Sequence, residues 1–248
     1  MILQNQQQYE YYKENGDMHK ALQTLLKQHV YEGMTGIKLD EIAYNFIVQH
    51  NAKPSFKGYS GYPNTICVMR NDEVVHAIPN NIAFKKGDLI TIDAGIYYNN
   101  VHTDAAFSMV IGGYNADNKR QDFCDNVYTS LQMGMNKAIT GNTLGDIGSA
   151  IEASVKGFGY YLCKEYCGHS IGFKMHEEPN VFNYKHPKTA HYVLPEGLVM
   201  CIEPIVGYKT GITKVSKDGW TVRTKDGFDA LQWEHCGIVR ADGFEILV

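Results

Sequence analysis

The sequence predicts an α+β chain with antiparallel sheet, and three observations carry that expectation. The stretch from Asp88 to Val110, DLITIDAGIYYNNVHTDAAFSMV, has the β-branched and aromatic bias of two strands around Asn99-Asn100, residues tolerant of positive φ. Two helical stretches precede this hairpin. Two more follow it, before a last third rich in Gly, Pro and strand-like runs. Two helices plus a hairpin, then two helices plus sheet, point to two similar halves.

Residues from about Gln4 to Val30 read as the first helix, with Leu22, Leu25, Leu26 and Val30 on one stripe; Gly33 and Gly36 stop it. Leu39 to Gln49 reads as the second, its apolar set being Leu39, Ile42, Ala43, Phe46 and Ile47. A Gly- and Tyr-rich segment, Phe56 to Pro63, leads into a strand at Thr65 to Met69. Asn71-Asp72 then turns the chain into Glu73-Val74-Val75-His76-Ala77-Ile78-Pro79. After the hairpin, Asn118 to Ile139 and Thr143 to Lys156 read as amphipathic helices. The second is opened by Thr143 as N-cap, with Asp146 three positions on.

Composition bounds what the chain does. With 248 residues, 44% hydrophobic and 20% charged, it can bury a sizeable core. A net charge of -4 and a pI near 6.2 give no basic field for nucleic acid. No run approaches the roughly 20 apolar residues of a spanning helix, so no membrane is expected and the compartment expected is the cytoplasm. Six cysteines, at 67, 124, 163, 167, 201 and 236, lack a CxxC pair and read as reduced core thiols.

The hairpin holds the first chemistry. If its turn is Tyr98-Asn99, Asp93 faces Asp104; if it is Asn99-Asn100, Asp93 faces Ala106 and Asp104 lies one diagonal step away. Either register puts both carboxylates on one face, where like charges repel unless a cation lies between them. Further along, Cys167-Gly168-His169-Ser170-Ile171-Gly172-Phe173-Lys174-Met175-His176-Glu177-Glu178-Pro179 sets two histidines among glycines that let backbone approach a ligand. Met200-Cys201-Ile202-Glu203-Pro204 and Gln232-Trp233-Glu234-His235-Cys236 each place a Glu in an apolar run, where an unpaired carboxylate costs several kcal/mol. Asp93, Asp104, His169, Glu203 and Glu234 together offer four carboxylates and one imidazole, a charge that two divalent ions balance. Such oxygen-rich ligation without thiolate fits manganese, iron or cobalt, and zinc less closely. Two such ions can share a bridging water, lower its pKa and polarise a carbonyl, which is hydrolase chemistry.

The ordered set IDAG, HTD, CGHSIG, HEEP, IEP and WEH resembles the type I methionine aminopeptidases. The similarity extends upstream through GMTGIKLDEIA, SFKGYSGYPNTICV and NDEVVHAIPNN, and so over nearly the whole chain. Intervals agree as well: eleven positions separate Asp93 from Asp104 and seven separate His169 from His176. This resemblance implies a pita-bread fold, two pseudo-symmetric halves with a curved antiparallel sheet covered by helices. Residues 1–248 would form a single catalytic domain, with the helix at about 4–30 preceding its core. It further implies that Asp93, Asp104, His169, Glu203 and Glu234 bind two divalent ions (cobalt, manganese, iron or zinc), with Asp104 and Glu234 bridging. His76 and His176 would contact the scissile peptide, and Glu203 would shuttle the proton. Tyr59, Tyr62 and Trp220, with Phe56 and Met175, match positions of the methionine pocket.

By the same resemblance the substrates are N-terminal methionyl peptides and nascent chains with a small second residue. Any ribosome docking would rest on the catalytic domain's surface, a monovalent cation near Asn71 is allowed, and the family precedent is a monomer. Ser60 stands where several relatives have His, Phe56 where some have Cys and Met175 where many have Phe, which bears on pocket shape. Two other readings share the fold: a proline-directed dipeptidase or aminopeptidase, and a non-catalytic peptide-binding module. Type II enzymes would need a helical insertion between His176 and Glu203, where only 26 residues lie.

Overall fold

A computed structural model describes all 248 residues, Met1–Val248. Its four long helices are α1 (Gln6–His29), α2 (Gly36–Gln49), α3 (Asn118–Met135) and α4 (Leu144–Gly157). Each starts at a polar side chain that accepts a backbone N–H of the first turn: Asn5 from Gln8, Thr35 from Lys38, Asp117 from Arg120 and Thr143 from Asp146. At Thr143 the Asp146 carboxylate answers the cap's own N–H, which completes a capping box. Such caps contribute about 1 kcal/mol each. Helix α3 ends four residues before the Ile139 expected from periodicity, because Ile139 instead bridges to Arg240. Tertiary pairing overrides local pattern there.

The acidic hairpin consists of Leu89–Tyr98 and Val101–Val110, with Tyr98 opposite Val101, Gly95 opposite Asp104 and Asp93 opposite Ala106. Its turn is Asn99-Asn100, both at positive φ (49° and 63°), which matches the twist of the flanking strands. Ile66–Arg70 and Lys53–Pro54 pair with the free edge of Leu89–Tyr98, and the first of these sets Cys67 opposite Asp93. Side chains alternate across the strand. Ile90, Ile92, Ala94 and Ile96 therefore join Leu22, Leu26, Leu39 and Ile47 in a core under α1 and α2, while Asp93 faces the other way. On the helix side, the Asn15 amide donates to Ile96 O at 3.1 Å and Val101 O at 3.0 Å, clasping both arms of the hairpin.

The second half carries a five-stranded antiparallel sheet in the order Phe244–Ile246, His235–Val239, Val199–Ile202, Gly168–Ser170, Glu177–Val181. Its core gathers Phe123, Val127, Leu131, Ile147 and Ile151 of α3 and α4 over Met200 and Ile202. Each such side chain contributes roughly 1.5–3 kcal/mol on burial. Glycine matters at 168, where any Cβ would collide with the Cys201 carbonyl oxygen, so only glycine lets the two strands approach. Two three-stranded sheets complete the half; one joins Ala230–Gln232 to Ile205–Gly207 and Tyr161–Leu162, the other Thr213–Val215 to Val222–Thr224 and Glu73–Val75.

The halves meet along the hairpin. Glu234 N donates to Ala106 O at 3.0 Å, His102 N to Gly172 O at 3.0 Å and Ser108 Oγ to Gln232 O at 2.7 Å. Trp233 packs against both cores. Arg120 adds a fork, donating from Nε and Nη2 to the two carboxylate oxygens of Asp229 at 2.8 Å each.

Candidate metal centre and active site

Asp93 and Asp104 come from the hairpin, His169 from the strand Gly168–Ser170, Glu203 from the residue after Val199–Ile202, and Glu234 from the two-residue link between Ala230–Gln232 and His235–Val239. All five are buried and all five line one cavity of about 460 Å³. Ligand atoms of Asp93, Asp104 and Glu234 lie within 4.8 Å of one another. His169 Nε2 is 3.7 Å from Glu203 Oε1 and 4.0 Å from Asp104 Oδ2. The ring donates from Nδ1 to Ser170 O at 3.0 Å, which assigns the tautomer and leaves Nε2 as a lone pair facing the carboxylates.

Electrostatics gives this cluster its character. Asp93 is pushed up to about 7 by burial. Burial also raises Asp104, Glu203 and Glu234 well above the ordinary carboxylate range, and mutual repulsion adds to it. His169 is held down to about 3, by burial first and by His176 second. Asp93 Oδ1, Asp104 Oδ1 and Glu234 Oε1 are buried without a hydrogen-bond partner. Three buried carboxylate oxygens without partners are costly to leave unpaired, and divalent metal is the group this donor set fits.

The remaining predicted residues surround the cluster. His76 sits on the cavity wall at φ 58°, a left-handed backbone rare outside glycine and common at functional sites. Burial and the neighbouring His176 lower its pKa. His176 Nδ1 is 2.9 Å from the Tyr59 hydroxyl, and its ring lies 4.2 Å from that of His169, centroid to centroid. Phe56, Tyr62, Cys67 and Met175 form a buried apolar cluster with Trp220 against it; the Tyr62 and Trp220 rings meet edge-on at 5.2 Å. Positive φ at Gly58, Ser60 and Gly61 bends the short helical turn that presents Tyr59 and Tyr62.

Several wall residues escaped the sequence reading. Gln232 donates from Nε2 to Glu203 Oε2 at 3.1 Å and Glu234 Oε2 at 3.3 Å. Tyr166, Cys67 and Glu165 also line the cavity. Nothing in the linear sequence marked Gln232, which ends the strand Ala230–Gln232, while Glu234 lies in the link that follows. A thiol also lies near the cluster, since Cys201 Sγ is within 4.8 Å of His169 and Glu234 ligand atoms. Burial raises its pKa well above the ordinary thiol value, so it stays protonated there. All six cysteines are free, as expected.

The chain is similar to known metallopeptidases in both sequence and fold. The model of metallopeptidase family M24 matches residues 10–241. A methionine aminopeptidase of Mycoplasma capricolum is 37% identical over 248 residues, covering 100% of this chain and 98% of that protein. Methionine aminopeptidase 1 of Bacillus subtilis is 37% identical over 222 residues, 90% of this chain and 88% of the relative. Among solved structures, methionine aminopeptidase from Rickettsia prowazekii superposes with a TM-score of 0.94 at 31% identity, covering 100% of this chain and 99% of that one. A prolidase from Pyrococcus furiosus shares the pita-bread fold alone, with a TM-score of 0.78 at 18% identity over 65% of its own length.

Proposed function

The chain belongs to metallopeptidase family M24 and, within it, to the type I methionine aminopeptidases, and from that membership we propose that it removes the N-terminal methionine of polypeptides whose second residue is small. The observation that carries this reading is the convergence of orphaned carboxylate oxygens at Asp93, Asp104 and Glu234 beside a buried apolar cluster in the same cavity. Asp93, Asp104, His169, Glu203 and Glu234 would hold two divalent cations. When bound, these supply the Lewis acidity and lowered water pKa that peptide hydrolysis requires.

The chain's own groups do the rest. Phe56, Tyr62, Met175 and Trp220 enclose a thioether with flat, polarizable surfaces. An unblocked α-amine meets the acidic ligand set, a role that an internal peptide nitrogen fills poorly. His76 and His176 flank the scissile peptide. The Tyr59 hydroxyl on Nδ1 orients His176, leaving its Nε2 to stabilise the carbonyl oxygen as charge develops. Glu203, held by Gln232 on one oxygen, takes the proton from the attacking water and returns it to the departing amine. Tyr166, edge-on to His76 at 6.1 Å, narrows the space for the second residue.

The test is methionine release from Met-Ala-Ser by chelated protein resupplied with manganese, iron, cobalt or zinc, beside Ala-Pro as control. Methionine release that depends on metal is the expected result. Cleavage of Ala-Pro instead, or of neither peptide with any of the four metals, would refute the assignment.

A further inference from the structure

The cavity has two walls of different chemistry. Phe56, Tyr62 and Met175 belong to one buried apolar cluster, whereas Tyr166 packs on another, with Val75 and Ile205. With methionine seated in the first, the departing peptide leaves across the second, past His76 and Tyr166. Glu165 stands at that exit. It lines the cavity, is exposed to solvent, and is anchored by the Thr213 hydroxyl, which donates to its Oε2. No lysine or arginine lines the cavity, and the adjacent Lys164 turns away to Glu152 at 2.8 Å. The four ligand carboxylates are matched by the charge of two divalent ions. Glu165 is then the uncompensated anion on the wall.

We propose that Glu165 selects for a cationic side chain at the third residue of the substrate. The inference rests on the reading above, in which the first residue is methionine and the second is small. The third residue is then the first that can carry a charge. An extended peptide advances about 3.3 Å per residue, so the third side chain clears the reacting centre, and the long stem of lysine or arginine carries its charge to the cavity rim. Solvent reaches Glu165, so the effect is modest and sensitive to salt. It is a difference between substrates in kcat/KM, carried chiefly by KM because the contact is made equally in ground and transition states.

The experiment compares Met-Ala-Lys-Ser, Met-Ala-Gln-Ser and Met-Ala-Glu-Ser on metal-loaded protein at low and high ionic strength. Wild-type protein should rank them Lys, Gln, Glu, with about a fivefold spread in kcat/KM at low salt that shrinks at high salt. In Glu165→Gln, which preserves an acceptor for Thr213, the spread collapses. In Thr213→Val, which removes the anchor but keeps the charge, it persists, as a merely structural role for Glu165 would not predict. A Lys to Glu ratio that is the same in wild type and Glu165→Gln overturns the assignment, as does the absence of any spread in wild type. No methionine release from all three peptides overturns the underlying reaction together with it.

Discussion

The Gln232 side-chain amide donates to Glu203 Oε2 over 3.1 Å, which fixes which end of the amide is nitrogen. A reversed amide would set its oxygen against that carboxylate and against Glu234 Oε2, 3.3 Å away. Gln232 is therefore a positioning residue for both glutamates. Replacing it by leucine should lower kcat about tenfold or more, as expected when a hydrogen bond to a buried charged group is lost. Steady-state kinetics checks this, with circular dichroism and metal titration on the same protein. A wild-type kcat would contradict it.

Tyr59→Phe removes the hydroxyl 2.9 Å from His176 Nδ1 and leaves the ring in place. The expected outcome is a loss of about five- to tenfold in kcat/KM, the scale of one hydrogen bond. Metal affinity by calorimetry should not change. His76→Ala should likewise keep its metals while slowing turnover.

Metal binding should weaken on acidification, starting near neutrality. Burial pushes Asp93 up to about 7 and raises Asp104, Glu203 and Glu234 as well, so protons compete with cations for the same oxygens at unusually high pH. Calorimetric titrations at pH 6, 7 and 8 should show affinity rising at each step. In metal-free protein these raised values have the opposite consequence for stability: the folded state holds protons that the unfolded chain releases, so stability falls as pH climbs through the neutral range. Removing metal at pH 8 should therefore lower Tm more than removing it at pH 6. Asp104→Asn should weaken binding and abolish turnover at any of these pH values.

His19 sets a separate dependence. Burial holds the ring down to about 3, with Nδ1 at 3.0 Å from Thr103 Oγ1 and Nε2 without a partner. In the unfolded chain a histidine titrates near 6.5. Its contribution to stability is thus complete above about 6.5 and drains as pH falls toward 3, by up to ~1.4 kcal/mol per pH unit. Urea unfolding of chelated wild type and His19→Gln at pH 7.5 and pH 5 isolates the loss, because the opposite trend of the buried carboxylates is common to both proteins: the stability difference between them should shrink from pH 7.5 to pH 5.

The hairpin and helices were legible because their signals are local. Apolar spacing gave α1 and α2, and Thr143 with Asp146 marked the start of α4 to the residue. Asn99-Asn100 left two registers open, since either asparagine tolerates positive φ; the pairing of Tyr98 with Val101 decides it. Resemblance and charge singled out the five candidate ligands, and the structure brings all five to one cavity. Gln232 and Cys201 were not, because nothing in a linear chain reveals that a neighbouring strand brings an amide or a thiol within reach of a carboxylate. Glu165 escaped for the same reason: the hydroxyl that donates to it belongs to Thr213, 48 residues away.

Asp93 and Asp104 stand on one half of the chain, His169, Glu203 and Glu234 on the other. Neither half alone carries all five candidate donors, so a cation site built from them would form only once both halves have folded and docked. A polypeptide stalled with only its first half complete, or nicked and relaxed across the seam, would be inert rather than indiscriminately hydrolytic.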